Sequence, residues 1–461
     1  MDEPGPDSSE PDGNEETHVV TAFLRNRGEV LLLRRSDAVG SYAGRWGGVS
    51  GFAEGDPDEQ VRVEIEEETG VEARGDSRDV EFVRSSRPVR ASDPDLEREW
   101  IVHPYLFDCD SREVALSEEH DALEWAPPPA MLTESDTVPK LWEAYERVAP
   151  TVRSIAADDD HGAAYLSVRA LETLRDRAGL LAAEREAPPA PRNDERRCRE
   201  RDGDPEAEWD ELAALAKRLL EARPSMAVLR NRVNRAMAAA DGEGGAGDAP
   251  DAGAVLESAT SGIERALEAD EAAAREAAER LSGPAMTLSR SGTVLEALRE
   301  GDLDRLYVAE SRPEREGVGV AEALADDVPV TLHTDAAAAH LLAREAVDRV
   351  VVGADTVLPD GRVVNKTGSR GLAVAAAREG VPVSVVTATD KVSSRAEYSL
   401  ESGSRVAVYD GDAAVDVANP TFDVTPADCV SELLTERGAL EPAAVERVAD
   451  ELRDLEGWRE S

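Results

Sequence analysis

Glu64, Glu67 and Glu68 stand at i, i+3 and i+4 in the run Glu64-Ile-Glu-Glu-Glu68. On a helix these three carboxylates share one face, with Val61 and Ile65 on an adjacent one. Like charges at this spacing oppose a helix by roughly a few tenths of a kcal/mol per pair. A divalent cation reverses that sign, and hard carboxylate oxygens suit Mg2+ or Mn2+. Magnesium keeps several waters and commonly bridges to substrate phosphates, so the expected substrate carries a diphosphate.

A second group lies far along the chain. Glu310, Arg312, Asp355, Asn365 and Lys366 follow, or fall at, the ends of apolar β-branched runs. In an open parallel sheet, ligands bind beyond the carboxyl ends of the strands. Two cations, two carboxylates, an amide and a Gly-rich turn leading into a helix suit a sugar phosphate. Lys366 carries the most weight, because the chain has only four lysines: Lys140, Lys217, Lys366 and Lys391.

The elements that must position these residues follow from pattern. His18–Phe23 and Val30–Leu33 flank turn residues Asn26 to Gly28, which predicts a hairpin. Trp46-Gly-Gly-Val-Ser-Gly51 reads as a tight Gly-rich turn. A helix is expected from about Asp58 to Thr69, stopped by Gly70. Glu99–Phe107 reads as a strand. Residues from about 150 to 282 read as helical, broken by polar stretches near 184–204 and 241–252. Leu303–Ala309, Val328–Leu332, Val350–Val352 and Val381–Val386 read as strands alternating with Ala/Leu-rich helices, which predicts a parallel α/β sheet.

Composition narrows the function classes. Lys+Arg total 52 against 97 Asp+Glu, a formal net charge of −45. Such a surface repels phosphate backbones and acidic lipids, so neither direct nucleic-acid binding nor membrane binding is expected. Acidic, Lys-poor, aromatic-poor composition fits a high-salt cytoplasm, where molar salt cuts the Debye length to roughly 3 Å. Cys109, Cys198 and Cys429 lie far apart and form neither a disulfide framework nor a metal knuckle. No apolar run approaches the roughly 18 residues of a membrane span. Residues 1–16 read as a disordered acidic tail with no signal-peptide core, and the expected location is cytoplasmic.

In chain order, the hairpin, the Trp46-Gly47-Gly48 turn, the Glu-rich helix, Gly70, the Trp100–Phe107 strand and Glu118-Glu-His120…Trp125 resemble a Nudix hydrolase domain over residues 17–148. The family box ends in Arg-Glu-apolar-x-Glu-Glu-x-Gly-apolar, which here reads Val63-Glu-Ile-Glu-Glu-Glu-Thr-Gly-Val71. The resemblance implies that Glu64, Glu67 and Glu68 hold Mg2+ or Mn2+, with one of them available to activate water. It also implies Glu119 as a further acidic ligand, and a nucleoside diphosphate derivative as substrate. Two departures stand out. The box arginine, which orients a catalytic glutamate, is Val63; Arg62 lies about 100° off that face. The segment Gly51 to Gly70 is also shorter than the family's usual spacing.

The remainder, roughly 150–435, resembles the family of the alpha, beta and delta subunits of translation initiation factor 2B, methylthioribose-1-phosphate isomerase and ribose-1,5-bisphosphate isomerase. The matching pieces are Asp160-His-Gly-Ala163, Arg223-Pro-Ser225, Met286-Thr-Leu-Ser289-Arg-Ser291, Glu310-Ser-Arg-Pro313, Gly353-Ala-Asp355 and Asn365-Lys366. The fold then expected is α/β throughout: a Nudix α/β/α sandwich (17–148), a helical domain (149–282) and a Rossmann-like parallel α/β domain (283–461). The resemblance implies substrate binding through Arg223, Ser289, Glu310, Arg312, Asp355, Asn365 and Lys366, and a homodimer or higher homo-oligomer. Family isomerases pair a Cys with an Asp as acid and base. Asp355 matches the Asp, but Ser289 stands at the Cys position, and a serine without an adjacent base is a poor proton shuttle.

The leading expectation is a Nudix hydrolase fused to a domain that binds and senses a nucleotide or sugar phosphate. One rival is a translation-initiation regulator acting on initiation factor 2, with both sites degenerate. The other is a sugar-phosphate isomerase.

Overall fold

The computed structural model describes residues 16–74, 79–93, 98–133, 136–187, 204–243 and 250–459. The expected tail apart from Glu16, most of both polar stretches, and Cys198 lie outside them. The chain divides into two compact units, residues 1–150 with 179–196, and 151–178 with 197–461.

The first unit is built on one mixed sheet. Its strands are β1 (Glu16–Asn26), β2 (Glu29–Arg35), β3 (Trp46–Gly47), β4 (Val49–Phe52), β5 (Val80–Ser85), β6 (Val89–Asp93), β7 (Arg98–Cys109) and β8 (His120–Ala126). Its helices are α1 (Pro57–Thr69), α2 (Ala130–Thr133) and α3 (Leu141–Glu146). The β1–β2 hairpin turns through Arg27 and Gly28, both with positive φ, as a tight two-residue turn between twisted strands requires. β1 runs parallel to β7 over ten residue pairs, from Glu16↔Glu99 to Arg25↔Asp108. Alternation along the strands sends Val20, Ala22, Leu24, Leu31 and Leu33 to the face covered by α1. Phe23, Val30 and Leu32 go to the face covered by α3. Helix layers therefore lie on both sides of the sheet, as expected.

The Gly-rich turn expected over Trp46–Gly51 is instead a pair of short strands. β4 pairs antiparallel with β1, Val49 opposite Ala22 and Gly51 opposite Val20. The glycines serve close approach: a Cβ on Gly48 would sit 2.8 Å from the Ala22 carbonyl oxygen.

The second unit begins with helices α4 (Val152–Ala157), α5 (Ala163–Glu186, of which the residues after 178 group with the first unit), α6 (Pro205–Ala222), α7 (Ala227–Glu243) and α8 (Ala252–Ala278). A strand–helix alternation follows: β9 (Ser282–Leu288), α9 (Gly292–Glu300), β10 (Asp302–Ala309), α10 (Glu316–Leu324), β11 (Val330–His333), α11 (Ala338–Arg344) and β12 (Arg349–Val352). Next come β13 (Thr356–Val357), β14 (Val363–Lys366), α12 (Ser369–Glu379), β15 (Val383–Val386), β16 (Phe422–Thr425), β17 (Glu432–Thr435), β18 (Gly438–Leu440) and α13 (Pro442–Asp454). The large sheet has order β11-β10-β9-β12-β15-β17-β18 and is parallel except for the β17–β18 hairpin. Both faces are buried: Val350 and Val352 join one apolar core, Val351 the other. The order reverses between β9 and β12, the switch point at which such sheets open a crevice.

One expectation is corrected. Asn365 and Lys366 do not follow a strand of the parallel sheet; they lie in β14, the centre of a separate antiparallel sheet β13-β14-β16. The β9 and β16–β18 strands were not legible in advance.

A buried ion network anchors the segment after β15. Asp390 accepts from Arg232 Nε at 3.3 Å and Arg235 Nη2 at 2.8 Å, and Arg232 also meets Asp270 at 3.0 Å. Burial alone would raise the Asp390 carboxyl, but the two guanidiniums more than offset it and hold it below its usual range. Asn231 Nδ2 donates to the Asp390 and Val392 carbonyls, both at 2.7 Å. Removing one member of a buried pair leaves a charge uncompensated, so Asp390→Ala is expected to destabilise this unit by about 3–5 kcal/mol. Urea denaturation of the full chain in high KCl measures it.

Candidate functional site

Helix α1 presents the first carboxylate group. Asp56 caps it by accepting from Asp58 N, Pro57 opens it, and Gly70 closes it in the left-handed conformation. The three glutamates do not have equal surroundings. Glu67 is exposed, Glu64 is half-buried, and Glu68 is 3% exposed beside Val61 and Ile65.

Glu64 lies against bare backbone. A Cβ on Gly51 would fall 2.0 Å from its carboxyl carbon, so only glycine leaves room for it. Gln60 Nε2, one turn earlier, donates to Glu64 Oε1 at 2.7 Å. Burial raises the Glu64 pKa, the Gln60 bond opposes this, and Glu67, Glu119 and Glu54 raise it further. Arg62 takes no part: it donates to the Ala73 carbonyl at 2.7 Å and stacks 5.4 Å from the Phe107 ring centre. Gln60, not residue 62 or 63, is thus the side chain that hydrogen-bonds Glu64 from within α1.

Glu68 is the most perturbed group. Its Oε2 accepts from Ser50 N at 3.0 Å, while the buried Oε1 has no hydrogen-bond partner. Burial pushes its pKa up to about 9, with Ser50 opposing and Glu64 and Glu119 adding to the rise. His120 Nε2 lies 3.9 Å from Glu68 Oε2. Burial and Arg35 push His120 down to about 4. This contact therefore joins a neutral acid to a neutral imidazole rather than an ion pair. Glu119 is exposed, yet its charge reaches both Glu64 and Glu68. Among the described residues no three ligand-type side chains stand ready-made around an ion. The donor set still fits one: all are hard oxygens, and the orphaned Oε1 of Glu68 has a dehydrated lone pair that a cation would satisfy.

The second group gathers at the switch point of the parallel sheet. Ser289 follows β9 with φ 63°, its N–H donating to Ser311 Oγ at 2.6 Å. Asp355 follows β12. The two loops touch, since a Cβ on Gly353 would sit 2.9 Å from Ser291 Oγ. Asp355 N–H donates to the Val364 carbonyl at 3.0 Å, which draws in β14 and Lys366. A cavity of about 420 Å³ is lined by Arg223, Arg230, Asp355, Arg395 and Tyr398, among others. Asp355 keeps some surface toward this cavity, but crowding around it raises its pKa. Lys391 and Lys366 oppose that rise, and Glu316 and Glu401 add to it. Lys391 Nζ donates to the adjacent Ala354 carbonyl at 2.7 Å.

The other expected residues stand elsewhere. Arg223 lines the cavity, held by the carbonyls of Ile155 and Asp158. Glu310 pairs with Arg312 at 3.5 Å and Arg315 at 3.6 Å, and of the expected residues only Arg223 and Asp355 line the cavity. Asn365 is buried, its Nδ2 donating to Ser369 Oγ at 2.8 Å. Sequence reasoning missed Gly51, Gln60, His120, Arg230, Arg395 and Glu316. It also passed over Lys391, which the scarcity argument used for Lys366 would have found.

The family model for the initiation factor 2 subunit family matches residues 160–442, more than half of the chain. The chain belongs to that family. A NUDIX domain model matches residues 16–148, so the first unit carries a Nudix domain. Ribose 1,5-bisphosphate isomerase of Haloterrigena turkmenica is 33% identical over 337 residues, 66% of this chain and 93% of that protein. Methylthioribose-1-phosphate isomerase of Pseudomonas aeruginosa is 37% identical over 177 residues, 34% of this chain. The chain spans about half the length of that relative, 48%. The crystal structure of 5-methylthioribose 1-phosphate isomerase from Pyrococcus horikoshii shares the fold, with TM-score 0.50, 22% identity, 72% of this chain and 89% of that one covered. No helix among the described residues is long and apolar enough to cross a membrane.

The Glu68 environment makes a stability prediction. A carboxyl raised from 4.5 to about 9 contributes stability below pH 4.5, and that contribution is lost as pH rises toward 9. Without divalent cations, Glu68→Gln is therefore expected to melt higher than wild type at pH 8, with the gap closing toward pH 5. Added Mg2+ raises the wild-type melting temperature and leaves the variant unmoved. Scanning calorimetry of the full chain checks both. Gly51→Ala is expected to lose the Mg2+ shift as well, because its methyl expels Glu64.

Proposed function

We propose that the Nudix domain hydrolyses a nucleoside diphosphate derivative with a divalent cation, Mg2+ or Mn2+, and that the second unit binds a sugar phosphate. The observation that carries the hydrolase reading is the α1 face: a dehydrated Glu68 with an unpartnered oxygen, beside a Glu64 seated on Gly51 and oriented by Gln60. Glu64, Glu67 and Glu68 would hold the ion, with Glu119 in range. The bound ion would neutralise diphosphate oxygens and acidify an attacking water. The chain's own part is to keep Glu64 oriented through Gln60. It also keeps Glu68 dry against Ile65, so that its charge is used only when a cation arrives. Exposed Phe52 follows Gly51 directly and lies 6.3 Å from the Trp100 ring, offering a face on which a nucleobase would stack.

For the second unit, the cavity supports an anionic ligand. Arg223, Arg230 and Arg395 line it beside Asp355, Glu397 and Glu401, so guanidiniums able to bind a phosphate fork-wise stand among carboxylates able to accept sugar hydroxyls. The isomerase relatives supply the ligand class, a sugar phosphate. In the full-length protein the second unit also supplies contacts for a homodimer or larger homo-oligomer.

The hydrolase reading is tested with the full chain in multi-molar KCl. Nucleoside diphosphate sugars, dinucleotides and nucleoside triphosphates are screened for product release with Mg2+. Turnover is expected for at least one class, lost with a chelator and reduced roughly 100-fold or more in Glu67→Gln. Absence of turnover across the panel would move the reading to a regulatory protein with a degenerate Nudix site.

A further inference from the structure

Ser289 has the base that a lone serine lacks. Its Oγ donates to Glu316 Oε2 at 2.5 Å, and the other oxygen of Glu316 lies 3.0 Å from Lys366 Nζ. We propose that Ser289, Glu316 and Lys366 form a proton relay which, opposite Asp355, moves a proton between adjacent carbons of a cyclic sugar 1-phosphate. The proposal rests on the reading of the second unit as a sugar-phosphate site.

Three features place and tune this relay. Glu316 is the first residue of α10, so the helix start fixes its carboxyl between Ser289 and Lys366. Gly317 fixes that start: a Cβ there would fall 1.9 Å from the Ala309 carbonyl oxygen, so the helix begins directly on the end of β10. Ser289 and Ser311, at the ends of neighbouring strands β9 and β10, both hold positive φ without being glycine. Such backbone strain survives only where its surroundings impose it, and here it aims the Ser289 hydroxyl at Glu316. Across the switch point stands Asp355, flanked by Lys366 and Lys391 and lining the arginine cavity. Two of the four lysines of the chain are committed to this one centre.

The chemistry balances without an outside reactant. The C2–H bond breaks, its proton passing to Ser289 Oγ as the serine proton passes to Glu316. The electron pair forms C1=C2 while the bond from C1 to the ring oxygen breaks, and protonated Asp355 gives its proton to that oxygen. The enol hydroxyl on C2 then returns a proton to Asp355 as C2=O forms. The relay runs backward to place its proton on C1. An aldose 1-phosphate becomes a ketose 1-phosphate, with both carboxyls restored. Ser289 is the group that meets substrate; Glu316 acts through it, held by Lys366.

The test uses the full chain in high KCl with ribose 1,5-bisphosphate and 5-methylthioribose 1-phosphate. Calorimetry measures binding, phosphorus NMR measures isomerisation, and solvent deuterium incorporation at C1 reports the proton transfer. Wild type is expected to bind and convert at least one of them. Glu316→Gln is expected to bind it equally well, melt within a few degrees of wild type, and lose roughly 100-fold or more in kcat. The double variant S289C/E316Q is expected to recover at least part of that loss, because a thiol is acidic enough to work without the glutamate. Equal kcat in wild type and Glu316→Gln would overturn the relay. So would loss of binding in Glu316→Gln together with failure of the double variant, which marks Glu316 as structural. Binding without conversion by wild type would overturn the relay alone. Neither binding nor conversion would overturn the sugar-phosphate reading with it.

Discussion

The Asp390 network is the contact on which the second unit's site depends. Arg232 is 2% exposed and cannot leave its charge unmet in so dry a place, so Asp270 and Asp390 must be held against it. That requirement pins the segment after β15 to α7, reinforced by the Asn231 bonds to the carbonyls of Asp390 and Val392. Lys391 lies between those two carbonyls in sequence and is thereby aimed at Ala354, the neighbour of Asp355. A helix of the N-terminal part of this unit thus sets the field at the carboxyl end of β12.

Both sites exploit carboxylates held away from water, with opposite tuning. Among the described residues Glu68 has no charged cationic partner within bonding distance, and burial leaves it protonated near neutral pH. It is a poor structural residue but a good one to yield its proton to an arriving cation. Glu316 is equally specific in placement, at a helix start with Lys366 Nζ 3.0 Å away. Asp355 lies between these cases, raised by crowding and pulled back by two lysines.

The overall acidity of the chain sharpens the contrast with its cavities. With 97 acidic against 52 basic residues, anionic ligands meet repulsion over most of the surface. The cavity bearing Arg223, Arg230 and Arg395 offsets that locally, its three guanidiniums balancing Asp355, Glu397 and Glu401. On α1 the same acidity is concentrated, and a divalent cation would resolve the repulsion between carboxylates.

The sequence alone determined the classes and the order of the elements. The i, i+3, i+4 glutamates, Gly70 as the end of α1, the β1–β2 hairpin and the main parallel strands are local patterns, and local patterns survive folding. It also exposed Val63 and Ser289 as departures. What it could not contain was the remedy for each. Gln60 bonds Glu64 where the box arginine is missing, and Gly51 leaves the room in which Glu64 sits. Ser289 gains a base only because β9 and β10 are neighbours, bringing residue 316 to residue 289 across 27 positions of chain. The same applies to the arginines of the cavity, drawn from the end of α6, from α7 and from the segment after β15. Reactivity in this protein is set by which groups share a dry, crowded space, and only the tertiary packing decides that.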